Sequence, residues 1–238
     1  MRRILLSICA MTIAAVAPAR AQTQQQIDWC EGDEVPSDLS IGGCTAVIQS
    51  GKFTGKKLAV AFYNRGIAYY YKKEYDRAIE DYSQAIRLDP KYAAAFVNRG
   101  IAYERKGQYD RAIENYSQVI RLDPKNAFAF NNRCWARAIL GRELREALAD
   151  CDASLRLRPN DAATLDSRGF VHIKLGQFDP AIADYSAAIA IDAKAAPALY
   201  GRGYARQKKG DASGAADIAA AKAIQPDIAE EYAKNGVK

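Results

Sequence analysis

The residues of this 238-residue chain that could do chemistry are few: five cysteines, one histidine, a glycine–lysine loop and a recurring set of arginines and aspartates. His172 stands alone, with no nucleophile motif to complete a triad, so general-base catalysis on a serine or cysteine is not indicated. The loop GKFTGKK (51–57) lacks one spacer residue of a phosphate-binding loop and has Lys57 where serine or threonine would hold magnesium. No strand is expected before it. The cysteines lack the close CxxC spacing of a zinc site, and neither an HExxH helix nor an EF-hand loop is present. These residues therefore predict no catalytic site, no metal and no cofactor.

What must position any functional surface is the rest of the chain. Its composition, 49% hydrophobic and 26% charged with 8 prolines, is that of a folded protein. Residues 1–21 read as a secretory signal peptide. Arg2 and Arg3 precede the apolar run Ile4–Val16, and Ala19-Arg20-Ala21 forms an A-x-A cleavage site before Gln22. The run is too short for a membrane span, so no integral membrane segment is expected in the mature chain. Losing Arg2, Arg3 and Arg20 takes the formal charge from +6 to +3, too little to argue for nucleic acid. Export also leaves an even set of cysteines: Cys30, Cys44, Cys134 and Cys151. A periplasmic or secreted location would favour disulfides between them over free thiols.

Self-similarity organises the remainder. AFYNRGIAYYYKKEYDRAIEDYSQAIRLDP (61–90) returns almost unchanged at 95–124, and in worn form at 129–159, 164–193 and 198–226. Each copy holds two apolar-periodic stretches of helical length. Gly107, Gly141, Gly176 and Gly210 stand where the first must end. Pro90, Pro124, Pro159 and Pro226 are expected to open the following helix. A lone hairpin cannot bury its apolar stripe, so copies must stack. Phe62, Gly66, Tyr69, Ala78, Tyr82 and Pro90 fill an aromatic–Gly–Tyr–Ala–aromatic–Pro pattern, repeated by Phe96, Gly100, Tyr103, Ala112, Tyr116 and Pro124. Later copies drift, with Cys134 in a glycine slot, His172 in a tyrosine slot and Ala193 in a proline slot.

This pattern resembles the tetratricopeptide repeat over roughly 59–226. The resemblance implies an all-α fold, a right-handed superhelical solenoid of antiparallel helix hairpins. Five units are expected at 59–92, 93–126, 127–161, 162–195 and 196–226. Residues 22–58 read as a degenerate N-terminal cap, its turn at Pro36-Ser37-Asp38, and 227–238 as a C-terminal capping helix. In an antiparallel hairpin, positions equidistant from the turn face one another. That rule predicts Cys30–Cys44 and Cys134–Cys151 bridges. It also brings Arg65, Arg99, Arg133, Arg168 and Arg202 opposite Asp81, Asn115, Asp150, Asp184 and Asp217, as clamps within hairpins.

In tetratricopeptide proteins the first helices of successive repeats line a concave groove that binds peptides. The resemblance therefore implies a non-enzymatic scaffold or adaptor for an unidentified protein or peptide. On that face stand Tyr63, Asn64, Ile67, Tyr70, Asn98, Ile101, Phe128, Asn131, Asn132, Trp135, Phe170, Tyr200 and Tyr204, with Tyr71, Glu104, Arg105, Ile139 and Asp166 beside them. Asn64, Asn98 and Asn132 form a ladder able to hold a peptide backbone. The plainer reading is that many of these side chains pack on neighbouring helices. A carrier that holds a polymer or lipid-like chain along the aromatics is the alternative function. The lysines of the family's carboxylate clamp are missing, Tyr63 and Phe128 standing in their places.

Overall fold

A computed structural model of the chain describes residues 18–237, so the expected signal peptide lies almost wholly outside it. The described residues form thirteen helices and no strand. Antiparallel hairpins pair α1 (Pro18–Glu31) with α2 (Ser37–Gln49), α3 (Gly55–Tyr71) with α4 (Tyr75–Leu88), and α5 (Ala93–Arg105) with α6 (Tyr109–Leu122). The series continues with α7 (Ala127–Leu140) and α8 (Leu144–Leu157), α9 (Ala162–Lys174) and α10 (Phe178–Ile191), and α11 (Ala196–Lys208) and α12 (Gly214–Ile224). A short α13 (Ile228–Lys234) ends the chain. Each second helix packs in turn on the first helix of the next hairpin, which makes an all-α solenoid.

Within a hairpin the decisive contact is a tyrosine ring laid against a glycine. Tyr82, Tyr116 and Tyr185 are at most 1% exposed. A Cβ added to Gly66, Gly100 or Gly169 would come within 2.7–2.9 Å of the facing ring. In two hairpins a disulfide takes that place. Cys134 stands in the glycine slot and Cys151 in the tyrosine slot, their sulfurs 2.03 Å apart, and Cys30 and Cys44 are joined at 2.09 Å in the cap. All four cysteines are buried. The N-terminal turn spans residues 32–36, so Ser37 and Asp38 belong to α2 and not to the turn that symmetry suggests.

The arginine clamps are present in all five hairpins from α3–α4 to α11–α12. Arg65, Arg133, Arg168 and Arg202 each make paired bonds of 2.6–2.9 Å to Asp81, Asp150, Asp184 and Asp217. Arg99 donates to Asn115 Oδ1 at 2.9 Å. The structure adds a third contact. The Nη1 of Arg65, Arg99, Arg133 and Arg168 reaches back to Thr45, Ser83, Ser117 and Asp152 on the preceding second helix, at 2.8–3.0 Å. One side chain thus ties two hairpins together, through the rigid fork that lysine lacks. Burial pushes the Asp81 carboxyl upward despite the opposing pull of Arg65, as expected of a pair whose desolvation cost rivals its attraction.

The turns follow backbone conformation closely. Gly107, Gly141, Gly176 and Gly210 end their helices at φ between 67° and 80°. In the first repeat Lys73 holds the same place at φ 62°. A side chain there is strained, so Lys73→Gly is expected to stabilise the fold by about 0.5–1 kcal/mol, read as a raised melting temperature. The four prolines expected to open helices do not, Pro226 lying before α13, whereas Pro197 does stand in the first turn of α11. Pro90, Pro124 and Pro159 lie three residues before α5, α7 and α9, at the second position of β-turns such as Tyr92 N–H to Asp89 C=O at 3.0 Å. Their fixed φ suits that turn position as well as it suits a first helical turn.

Candidate peptide-binding groove

The first helices form the inner wall. Helix α3 packs on α5, α7 on α9 and α9 on α11, whereas α5 and α7 stand further apart and leave a cleft. Bulky Trp135 on α7 lines it, beside Ile101 of α5.

Two cavities adjoin here and share Ile101. The first, about 220 Å³, is walled by Ile67, Tyr70, Tyr71, Tyr82, Asn98 and Ile101. Tyr71 is 72% exposed at its mouth. The second, about 340 Å³, is lined by Ile101, Glu104, Arg105, Tyr109, Trp135, Ile139, Glu231 and Asn235. Of the residues placed on this face from sequence, Ile67, Tyr70, Asn98 and Ile101 line the first cavity and Ile101 and Trp135 the second.

The other expected residues divide. Tyr63 is half-buried against Tyr92, ring centres 4.9 Å apart, and accepts a bond from Asn98 Nδ2 at 3.0 Å. Asn64 Nδ2 donates to the Cys30 carbonyl at 2.9 Å. The asparagine ladder is therefore corrected, since its first two amides already hold the fold together. Phe128 is exposed, and Asn131 and Asn132 are half-buried; none of the three lines either cavity.

The distal part of the groove is closed by the chain itself. Phe170, expected on the binding face, is 1% exposed. It is sandwiched by Trp135 at 5.1 Å and by Tyr232 of α13 at 5.6 Å. Tyr232 also covers Tyr200, at 4.6 Å, and its hydroxyl donates to the Pro197 carbonyl. Tyr204 is half-buried against the same core. Phe170 is thus a packing residue, not a binding one, because Ile228, Tyr232 and Val237 cover the apolar end of the solenoid.

Three acceptor atoms on successive inner helices are shut from solvent without a hydrogen-bond partner: Glu104 Oε1, Asn131 Oδ1 and Asp166 Oδ1. Burial pushes the Glu104 carboxyl up to about 7. Asp166 is likewise raised to about 7 by burial, with the charge of Glu231 adding to it. Sequence placed Glu104 on this face without marking it as a site. Tyr109, Glu231 and Asn235 were missed because they come from a second helix and the tail.

Similarity to known proteins agrees with the fold of stacked helix hairpins. Residues 66–107 and 169–210 match the description TPR repeat, and 93–126 match Tetratricopeptide repeat. The chain carries tetratricopeptide repeats. Among curated proteins no relative reaches a significant match. Solved tetratricopeptide structures do resemble it. A tetratricopeptide repeat protein from Parabacteroides merdae aligns with TM-score 0.71 at 15% identity, covering 90% of this chain and 85% of that one. MamA aligns with TM-score 0.62 at 22% identity, covering 72% and 94%. YrrB, a TPR protein with an unusual peptide-binding site, aligns with TM-score 0.60 at 24% identity, covering 80% and 97%. At such identities the likeness speaks for the tetratricopeptide fold alone.

Proposed function

We propose that the chain is an exported, non-enzymatic adaptor that holds a segment of a partner protein against α3, α5 and α7. The observation carrying this is the pair of adjoining cavities around Ile101, which Tyr70, Tyr71 and Trp135 border and α13 closes off only at its far side. Aromatic side chains around apolar pockets are the usual anchors of protein recognition. The carrier alternative needs an aromatic track along the whole groove, and Tyr232 covers the part of it formed by Phe170 and Tyr200. Export belongs to the same proposal. Its support is the two disulfides, which persist where thiols are not kept reduced. A periplasmic product whose mass begins at Gln22 is the expected result, and a retained leader would oppose it.

The binding test is selection from a random dodecapeptide library on the immobilised protein. Enriched peptides are expected to lose affinity roughly tenfold or more for Tyr70→Ala and for Ile101→Ala, and to keep it for Gln118→Ala on a second helix. No enrichment, or equal binding by all three variants, would oppose the groove reading.

A further inference from the structure

Resting on that reading, we infer that the cleft between α5 and α7 receives a basic side chain, lysine or arginine, of the bound segment. Glu104 is the counter-charge, and Trp135 and Tyr109 are the aromatic walls. The neighbouring cavity at Tyr70 takes an apolar residue of the same segment.

The cleft has the parts a cation needs. Glu104 and Glu231 both line this space of about 340 Å³, Glu104 from within α5 and Glu231 from an exposed position on α13, where its Oε2 also accepts from Gln225 Nε2 at 2.8 Å. An indole and a phenol add faces that attract ammonium or guanidinium groups. Glu104 Oε1 is enclosed and makes no hydrogen bond within 3.5 Å, although the Tyr116 hydroxyl behind it on α6 lies close enough to lower its carboxyl somewhat. A buried acceptor without a donor is costly, and a guest that brings N–H groups removes the cost. Arg105 also lines the cleft, but its Nε donates to Tyr70 Oη at 3.0 Å, which ties it towards the first cavity. It thereby marks the border between an apolar and an acidic subsite.

The charge state of Glu104 makes the idea measurable. The groups around it are Arg105 on its own helix, Tyr109 and Tyr116 on α6, Tyr70 on α3 and Glu231 on α13; α7 contributes only Trp135 and Ile139. Burial raises both Tyr109 and Tyr116, so neither phenol ionises near neutrality. With the empty site at about 7, Glu104 is mostly protonated at pH 6 and mostly ionised at pH 8. A cationic guest selects the ionised form. Its affinity should therefore rise about tenfold from pH 6 to pH 8.

The test is the same dodecapeptide selection, run at pH 8 and followed by titration of the most enriched peptide at pH 6 and pH 8. Enriched sequences are expected to share a lysine or arginine at fixed spacing from an apolar residue. Glu104→Gln is expected to cost about tenfold at pH 8 and to abolish the pH dependence, whereas Asp166→Asn leaves it intact. Fold is checked in the same variant. The raised carboxyl means that the native state loses stability as pH climbs from the ordinary carboxylate range through 7, so Glu104→Gln should melt above wild type at pH 8. Enriched peptides without a basic residue, or a pH dependence that follows Asp166 instead, would overturn the cation subsite while leaving groove binding intact. Failure to enrich any peptide would overturn both.

Discussion

Replacing Asp150 with alanine is expected to destabilise the protein by about 3–5 kcal/mol, seen as a lower denaturant midpoint at unchanged slope. Asp150 receives Arg133 through two bonds and Arg137 through a third. The aspartate side chain is 6% exposed and those of Arg133 and Arg137 are 17% and 15% exposed. Removing the acid leaves Arg133 largely out of water with no counter-charge and leaves Arg137 only its pair with the half-exposed Glu143, which is why the loss exceeds that of a surface ion pair. Arg99 and Asn115 provide the internal contrast. There the partner is neutral and donates its own Nδ2 to the Arg111 carbonyl, so Asn115→Ala should cost about 1–2 kcal/mol. Equal losses for the two variants would mean that charge is not what the clamp contributes.

The second large effect concerns the third hairpin. Cys134→Ala with Cys151→Ala is expected to cost about 3 kcal/mol, because a bridge across 17 residues is lost and the site it filled is left underpacked. The pair Cys134→Gly with Cys151→Tyr should recover most of that loss. It restores the ring-on-glycine contact that Gly100 and Tyr116 make one repeat earlier. Thermal melts of the two double variants with and without reductant decide the matter. The glycine–tyrosine form should be insensitive to reductant in this hairpin, and a melting point no higher than that of the alanine pair would contradict the substitution logic.

How far the molecule could be read from its residues depended on how local each contact is. The hairpins were legible because Gly66 and Tyr82 recur as Gly100 and Tyr116 at one fixed period. Facing positions then follow from the turn, which is how Arg65 finds Asp81 and Cys134 finds Cys151. The same rule misplaced the N-terminal turn. Its symmetry centre falls on Ser37, while Pro36 already precedes α2. The reach of Arg99 to Ser83 was not legible, since it crosses between repeats whose relative tilt no spacing encodes. The inner face proposed for binding was half legible. Ile67, Tyr70, Ile101 and Trp135 converge because they share one helical register. Phe170 shares it too, yet it is buried, because Tyr232 arrives from a tail 62 residues onward in the chain. Whether a tail folds back over a groove is a tertiary outcome, and the short, charged sequence of α13 carries little sign of it.

The most direct measurement is an amide chemical-shift map of the protein titrated with the most enriched dodecapeptide. Shifts concentrated on α3, α5 and α7, strongest around Tyr70, Ile101, Glu104 and Trp135, are the expected result. Shifts confined to α4, α6 and α8, with the inner helices silent, would contradict a guest held on the concave wall.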